Sequence, residues 1–209
     1  EDMSLESIWA DNVNETKWKF NIPTLRRRVE GVTGGHFVVV GARPNTGKTS
    51  FHASIIASPH GFAEQGARCL VLCNEEPPKI VRARYSCAGT GMILKEQEAN
   101  PSKANMKYAK VKPNISLVDS TGEEMSWVET AIKTDKPDIV ILDMGHKFAA
   151  RTSDKTDVYL KDAAIHARNL AKQYNCVIFW MTQLSASAEG FATPDQSMIE
   201  GSRTGLAAE

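Results

Sequence analysis

One segment, residues 36–50, constrains the fold of this chain more than any other. It begins as an apolar, β-branched run, breaks into a turn rich in Gly, Pro and Asn, and restarts with Gly-Lys-Thr at the head of a helix. A strand, a loop and a helix in this order gather free backbone N–H groups, a lysine and a hydroxyl around one point. Those groups suit a triphosphate tail and its magnesium ion. The segment therefore predicts a phosphate-binding loop in a chain that binds and hydrolyses a nucleoside triphosphate.

The predicted phosphate loop gives its residues separate roles. Lys48 is expected to reach the β- and γ-phosphates, and Thr49 is expected to ligate magnesium through its hydroxyl. The backbone N–H groups from Asn45 to Ser50 are expected to face the phosphates. The predicted nucleotide-binding residues are Ala42, Arg43, Pro44, Asn45, Thr46, Gly47, Lys48, Thr49 and Ser50.

One position departs from the usual form of such loops. Ala42 occupies the place of the first glycine, and Gly41 lies one position earlier. Because a side chain disfavours positive φ, we expect a negative φ at Ala42 and a different entry into the turn. Gly-Lys-Ser or Gly-Lys-Thr alone occurs by chance in about one chain in ten of this length. An ordinary strand-to-helix turn with an exposed lysine is therefore the alternative, and the later motifs decide between the two.

The composition limits the class of protein. At 209 residues the chain is long enough for one large domain with a sizeable core. Its 25 basic and 25 acidic residues balance, so contact with nucleic acid would need a local basic lining. No apolar run approaches the roughly 20 residues that span a bilayer, so we expect a soluble intracellular protein without membrane contact. The four cysteines lack the close pairs of a zinc site and are expected to be reduced core residues.

The two ends of the chain differ from its middle. The chain begins at Glu1 and ends at Glu209 without a closing turn, which indicates a piece of a longer polypeptide. Its first 30 residues are polar and irregular, and we expect residues 1–30 to form a linker or arm. Residues 31–209 are expected to form the nucleotide-hydrolysing domain.

Short apolar runs alternate with amphipathic segments along the chain. The predicted strands are residues 37–40, 69–73, 115–118, 138–142 and 177–182. The predicted helices are residues 48–57, 79–88, 123–134 and 156–174, and residues 89–112 form a polar segment without an assigned structure. Continuous apolar strands separated by helices predict an α/β fold with a mostly parallel, twisted sheet covered by helices on both faces. In such sheets ligands bind at the carboxyl ends of the strands.

Acidic residues follow two of the predicted strands. Asp143 follows the fourth strand and is placed to hold the magnesium shell, usually through water. Glu75 and Glu76 follow the second strand, where a carboxylate can polarise the attacking water. Because adjacent extended residues point opposite ways, only one of them can face the nucleotide, and we choose Glu75 as the general base. Glu76 is expected to favour the amino end of the next helix; the alternative is that both glutamates cap that helix.

A glutamine follows the last predicted strand. Gln183 carries both a donor and an acceptor, so it can sense the γ-phosphate and move the loop behind it. Residues 185–200, which form that loop, are small and polar without an apolar period, and we expect them to be mobile.

Taken together, these motifs resemble the RecA-type motor domain of DnaB-like replicative helicases, including the helicase half of phage primase-helicases. The Ala-Arg-Pro-x-x-Gly-Lys-Thr form of the phosphate loop is characteristic of that family and accounts for Ala42. Residues 74–76 resemble its catalytic-glutamate segment, Asp143 resembles its magnesium aspartate, and residues 181–185 resemble its sensor motif. The resemblance covers nearly the whole chain.

The resemblance implies a RecA-like P-loop NTPase fold with ATP, or another NTP, and Mg²⁺ as cofactors. It implies a cytoplasmic hexameric ring, in a bacterial cell or a phage-infected host, that translocates on single-stranded DNA, unwinds duplex DNA and works with a primase or a helicase loader. The family's arginine finger would lie past residue 209, so slow hydrolysis is expected of this chain alone.

The resemblance also implies two DNA-binding loops, one after Asp143 and one after Gln183. The basic candidates for DNA contact are Lys147, Arg151, Lys155 and Arg203. Glu200 stands where the family tends to have a basic residue. For the first loop, the alternative is an exposed loop with ordinary surface charges.

Two other classes of protein fit the same residues. A RecA- or RadA-like DNA-dependent ATPase would act in recombination or loading without unwinding. A nucleotide-switched binding module would bind NTP tightly and turn it over negligibly.

Overall fold

The strands and helices that the sequence predicts from residue 37 onward occur in the predicted order. The computed structural model describes residues 4–5, 18–149, 156–185, 188, 190–191 and 198–199, apart from the side chains of residues 156 and 157. The strands are β1 (Trp18–Lys19), β2 (Gly31–Val32), β3 (Phe37–Ala42), β4 (Cys69–Cys73), β5 (Ile115–Asp119), β6 (Ile139–Asp143) and β7 (Val177–Gln183). The helices are α1 (Pro23–Val29), α2 (Lys48–Ala57), α3 (Pro78–Thr90), α4 (Leu94–Ala99), α5 (Pro101–Tyr108), α6 (Met125–Asp135) and α7 (Thr156–Gln173). None of the helices in the described part of the chain is long and apolar enough to cross a membrane.

In the described part of the chain, five strands form one parallel sheet. Their order is β3-β7-β6-β4-β5, so β6 is the central strand. A separate antiparallel pair joins β1 to β2. The parallel ladders place the carboxyl ends of β3, β4, β6 and β7 along one edge of the sheet, as the rule for ligand sites in α/β sheets requires. The predicted fold class is confirmed.

Successive side chains of the strands point to opposite faces of the sheet, and each face has its own apolar core. On what we call the first face, Ile141 and Phe179 pack with α2 and α3. On the second face, Leu142 and Trp180 pack with α6 and α7. This alternation is the period of two that a strand imposes. Because helices cover both faces, the central strands read as continuous apolar runs in the sequence.

The segment before β3 packs on the first face. Phe20 is buried, with its ring centroid 5.4 Å from that of Phe62 and 6.4 Å from that of Phe179. Rings at these distances and at tilted or edge-on angles are favourable aromatic pairs. Part of the predicted arm therefore contributes to the core, and the division of the chain at residue 30 stays a prediction.

Two short helices lie in the polar segment that had no assigned structure. Helix α4 is rich in good helix formers, and α5 begins at Pro101, which suits the first turn of a helix. The Asn100 side chain caps α5 by accepting a hydrogen bond from the N–H of Lys103 at 3.2 Å. Only Ala104 is buried in these two helices. With so little apolar surface to bury, neither helix leaves a periodic pattern in the sequence.

All four cysteines are free thiols. Cys69, Cys73 and Cys176 are buried, as predicted for core residues, whereas Cys87 is only partly buried. Burial raises the pKa of Cys73 to about 12 and that of Cys176 to about 11. These thiols stay protonated near neutral pH and are not nucleophiles.

Candidate nucleotide-binding site

The phosphate loop begins directly from the last residue of β3. Ala42 is extended and pairs in register with Gln183, so the backbone enters the turn from a strand, as expected for an alanine at this place. The turn itself uses left-handed backbone at two positions, with φ of 58° at Asn45 and 95° at Gly47. Asn and Gly are the residues that tolerate this conformation best.

The amino end of α2 is open to an anion. Gly47 is its N-cap and supplies no capping side chain. The N–H of Phe51 donates to the carbonyl of Gly47 at 2.8 Å, which is the first hydrogen bond of the helix. The N–H groups of Lys48, Thr49 and Ser50 therefore have no carbonyl partner within the described part of the chain. Together with the helix dipole, these N–H groups form an anion-binding site.

The open end of α2 lies in a cavity of about 300 Å³. The cavity is lined by Asn45, Gly47, Lys48, Thr49, Ser50, Glu75, Glu76 and Arg84. The fold thus brings Glu75 to the phosphate loop although the two are far apart in sequence. Gln183 lies beside the start of the loop, in register with Ala42, but does not line the cavity.

Asp143 ends β6 on the first face, under the phosphate loop. Its Oδ2 accepts hydrogen bonds from Thr49 Oγ1 at 3.4 Å and from His52 Nε2 at 3.1 Å. Burial raises the pKa of this carboxyl, but its hydrogen bond and electrostatic interaction with His52, the charge of Lys48 and the Thr49 hydroxyl outweigh burial and hold the pKa below its usual value. Asp143 is therefore ionised near neutral pH.

The other oxygen of Asp143 supports a magnesium site. Oδ1 is buried and has no hydrogen-bond partner among the described residues. A buried carboxylate oxygen without a partner is costly unless a ligand satisfies it. An ionised carboxylate oxygen and a threonine hydroxyl are hard ligands, which Mg²⁺ prefers. Thr49 and Asp143 therefore fit the predicted metal site.

Two residues of the site, His52 and Tyr85, were not predicted. His52 Nδ1 lies 2.8 Å from the hydroxyl of Tyr85, and both side chains are fully buried. The position of His52 could have been inferred, because it is one helical turn after Lys48 on the same face of α2. The contact with Tyr85 could not, because it depends on how α3 packs against α2.

Glu76 does not cap the following helix. Its carboxylate forms a two-point ion pair with the guanidinium of Arg84 in α3, with one N–H donating to Oε1 at 3.0 Å. The hydrogen bond to Glu76 also raises the pKa of Arg84. The N-cap of α3 is Pro77, which has no side-chain capping bond. Glu76 is thus held on the wall of the cavity, beside Glu75.

Asn74 joins the ends of β4 and β6 and was also missed. Its N–H donates to the carbonyl of Asp143 at 3.0 Å, and its side-chain oxygen accepts from the N–H of Met144 at 2.6 Å. Its side-chain amide donates to the Met144 carbonyl at 3.2 Å. These bonds hold the backbone just before Glu75 against the end of β6.

Of the four predicted DNA-binding residues, the structure describes one. Lys147 is exposed on the 3-10 helix Gly145–Phe148, and its Nζ lies 3.5 Å from the carbonyl of Asn74. Arg151, Lys155 and Arg203 lie outside the described residues.

The side chain of Arg43, in the phosphate loop, contacts the segment that follows β7. Its Nη2 donates to the carbonyls of Ala188 at 2.7 Å and Phe191 at 2.5 Å. The prediction placed Arg43 in the phosphate loop only, and this second contact could not be found from the sequence.

A five-stranded parallel sheet with a phosphate loop after β3 and acidic residues at the ends of β4 and β6 defines a RecA-type nucleotide-binding domain. The chain belongs to the AAA domain family, because the sequence model of that family matches residues 7–188. No curated protein sequence matches the chain.

Solved structures with the same fold carry this comparison further. One of them, described as an ATPase domain, is 18% identical, with a TM-score of 0.81 over 97% of this chain and 80% of that chain. A DnaB-like replicative helicase, described together with its interactions with primase, is 19% identical, with a TM-score of 0.78. That match covers 95% of this chain and 53% of the helicase, so the chain spans about half its length. The fold is that of a DnaB-like helicase ATPase domain, as the sequence motifs indicated.

Proposed function

We propose that the chain is the ATP-hydrolysing motor domain of a replicative DNA helicase that translocates on single-stranded DNA and unwinds duplex. The observation that carries this proposal is the convergence of the open α2 end, Lys48, Thr49 and Glu75 on one cavity. The fold shared with the solved ATPase domain and with the DnaB-like helicase favours this function over a filament-forming or loading ATPase.

The chemistry follows from the residues around the cavity. Lys48 and the free N–H groups bind the β- and γ-phosphates and neutralise the charge that develops on them. Glu75 orients the attacking water for in-line displacement at the γ-phosphate. Gln183, beside the start of the loop, senses the γ-phosphate. Thr49 and Asp143 hold Mg²⁺, which supplies charge neutralisation when it is bound. Among the described residues, no three His, Cys, Asp or Glu side chains gather into a metal cluster of their own.

The same proposal assigns the DNA contacts and the assembly. Lys147 and, outside the described residues, Arg151, Lys155 and Arg203 contact the phosphates of single-stranded DNA. The motor works as a homo-hexameric ring in the cytoplasm of a bacterial cell or phage-infected host, with a primase or a loader as partner. The solved DnaB-like helicase interacts with primase, which supports that choice of partner.

Nucleotide binding by the Lys48→Ala variant tests the proposal. Removing a charged partner of the phosphates should weaken ATP binding at least tenfold, since a charge-assisted hydrogen bond contributes about 1.5–3 kcal/mol. Isothermal titration calorimetry with ATP and Mg²⁺ measures this change. Lys95→Ala, on exposed α4, is the matched control and should leave the affinity unchanged. If wild type and Lys48→Ala bound ATP with equal affinity, the proposed role of the phosphate loop in nucleotide binding would be wrong.

Strand displacement separates the motor from its alternative. ATP hydrolysis stimulated by single-stranded DNA and coupled to unwinding supports the motor. Stimulated hydrolysis without unwinding, measured on the full-length protein, would instead favour a RecA- or RadA-like ATPase that acts in recombination or loading.

A further inference from the structure

We propose that His52 and Tyr85 form a positioning relay that fixes the Asp143 carboxylate and leaves its Oδ1 available to the magnesium shell. The inference rests on the proposed NTPase function and deepens it. His52 lies outside the cavity lining and is fully buried, so it cannot touch the nucleotide directly. It acts through Asp143, and it is a positioning residue rather than a catalytic one.

The geometry of α2 explains how two side chains reach one oxygen. Thr49 and His52 are three residues apart on α2, which places them on the same face of the helix. Both bind Oδ2 of Asp143, at 3.4 Å and 3.1 Å. The carboxylate is thereby held by one oxygen, and Oδ1 has no partner among the described residues.

Hydrogen-bond accounting assigns the proton positions in the relay. An ionised carboxylate only accepts, so Nε2 of His52 must carry the proton that it donates to Asp143. The Tyr85 hydroxyl has a single proton, and within the described part of the chain its bond to His52 Nδ1, at 2.8 Å, is the hydrogen bond it makes. If the hydroxyl donates to Nδ1, every polar atom of the pair is satisfied. A doubly protonated His52 would leave the buried proton of Tyr85 without an acceptor in that part of the chain.

Each hydrogen bond of the relay therefore has a fixed donor and a fixed acceptor. Tyr85 donates to Nδ1, which keeps that nitrogen unprotonated and places the ring proton on Nε2. Nε2–H then fixes the orientation of the carboxylate, as outer partners of metal ligands commonly do. Loss of such a partner typically costs 10-fold to 100-fold in metal affinity or activity.

The test compares variants that keep or remove the Nε2–H donor. His52→Gln retains an amide N–H near the position of Nε2–H, whereas His52→Leu has none. The readout is the metal coupling of ADP binding, defined as the dissociation constant in EDTA divided by that in Mg²⁺, by isothermal titration calorimetry. His52→Leu should lower this ratio by about 10-fold or more. His52→Gln should stay within about threefold of wild type, and the remote His166→Leu on α7 is the matched control.

Tyr85→Phe supplies a second variant that keeps the buried ring. It should lower the ratio by about twofold to tenfold, the range that one neutral hydrogen bond contributes. ADP binding in EDTA should be unchanged in every variant, which shows that the phosphate loop is folded. An equal loss for His52→Gln and His52→Leu, or an unchanged ratio in both, would overturn the relay.

A spectroscopic measurement tests the relay without nucleotide or metal. Long-range ¹H–¹⁵N spectra of the histidine side chains should show His52 protonated at Nε2 alone, with its signals identified by their loss in His52→Gln. A ring protonated at Nδ1, or at both nitrogens, would overturn the relay. If wild type bound no ADP under any condition, the proposed function would fail, whereas these spectra would still decide the relay.

Discussion

The two faces of the sheet use different physical devices to fix their side chains. On the first face, hydrogen bonds link the buried side chains of Tyr85, His52 and Asp143. On the second face, small residues and one large ring interlock. A Cβ on Gly145 would lie 2.2 Å from the Trp180 ring, and α7 contributes alanines, including Ala167, to the same core.

Because the two faces hold their side chains by different interactions, we expect mutations on them to affect function and stability differently. The polar side chains near the site on the first face are specified by their hydrogen-bond partners, because an unmatched buried polar group is costly. Side chains on the second face are specified by volume, because close packing leaves no room for additional atoms. Mutations of residues that line the cavity beside the first face should therefore change chemistry with little loss of stability, and mutations of buried residues on the second face should do the reverse.

The largest expected effect is at Glu75, on the cavity beside the first face. Glu75→Gln keeps the shape of the side chain but removes the base, so kcat should fall by about 10² to 10⁴. The affinity for ATP should remain within about twofold, because Lys48 and the loop N–H groups are untouched. Single-turnover hydrolysis of radiolabelled ATP measures the rate, and Glu98→Gln on exposed α4 is the control. Full activity in Glu75→Gln would show that another group orients the water.

An intermediate effect, on stability alone, is expected at Ile132 on the second face. This side chain of α6 is 1% exposed, and Ile132→Ala should lower the free energy of unfolding by about 2–5 kcal/mol. Urea denaturation measures the change, and calorimetry below the transition should give an ATP affinity equal to that of wild type.

Ile80→Ala is the matched control for that measurement. Ile80 lies on α3 and is 47% exposed, so its replacement should change stability by no more than about 0.5 kcal/mol. A loss of nucleotide affinity in folded Ile132→Ala would contradict the claim that mutations on the second face affect stability alone.

The smallest expected effect is at the surface between α6 and α7. Hydrogen bonds from Lys133 and from the Tyr174 hydroxyl, 2.8 Å away, hold the pKa of Glu129 below its usual value. Tyr174→Phe should raise the pKa of Glu129, as measured by NMR titration of its side-chain carboxyl. Because the folded-state pKa is lowered, the pair contributes stability above the usual carboxyl range, and that contribution is lost as the pH falls. An unchanged pKa would show that Lys133 alone sets it.

Local rules in the sequence were sufficient for the five strands of the parallel sheet and for the outer parts of the site. The helix predicted at residues 48–57 has the same bounds in the structure, and the strand predicted at residues 138–142 is displaced by one residue. These elements are bounded by turn formers and by abrupt changes of polarity, which are local features. Placement of acidic residues at the carboxyl ends of β4 and β6 then followed from the rule for parallel sheets.

Contacts between distant elements were beyond those rules. His52 and Tyr85 are 33 residues apart on different helices, so no local period of the sequence predicts their contact. The strand order, with β7 between β3 and β6, is likewise set by packing rather than by any one segment. Helices α4 and α5 were missed because they bury almost nothing, so no apolar period marks them.

The central position of β6 in the sheet disfavours a shift in its register during folding, which would misplace Asp143. Sliding β6 by a single residue would turn Asp143 away from Thr49 and bury its charge among the apolar groups opposite. An edge strand could slide by breaking one ladder of hydrogen bonds, but β6 is clamped between β4 and β7 and would have to break two. A chain with β6 out of register therefore loses hydrogen bonds to both neighbouring strands. A molecule that completes its sheet has Asp143 facing α2.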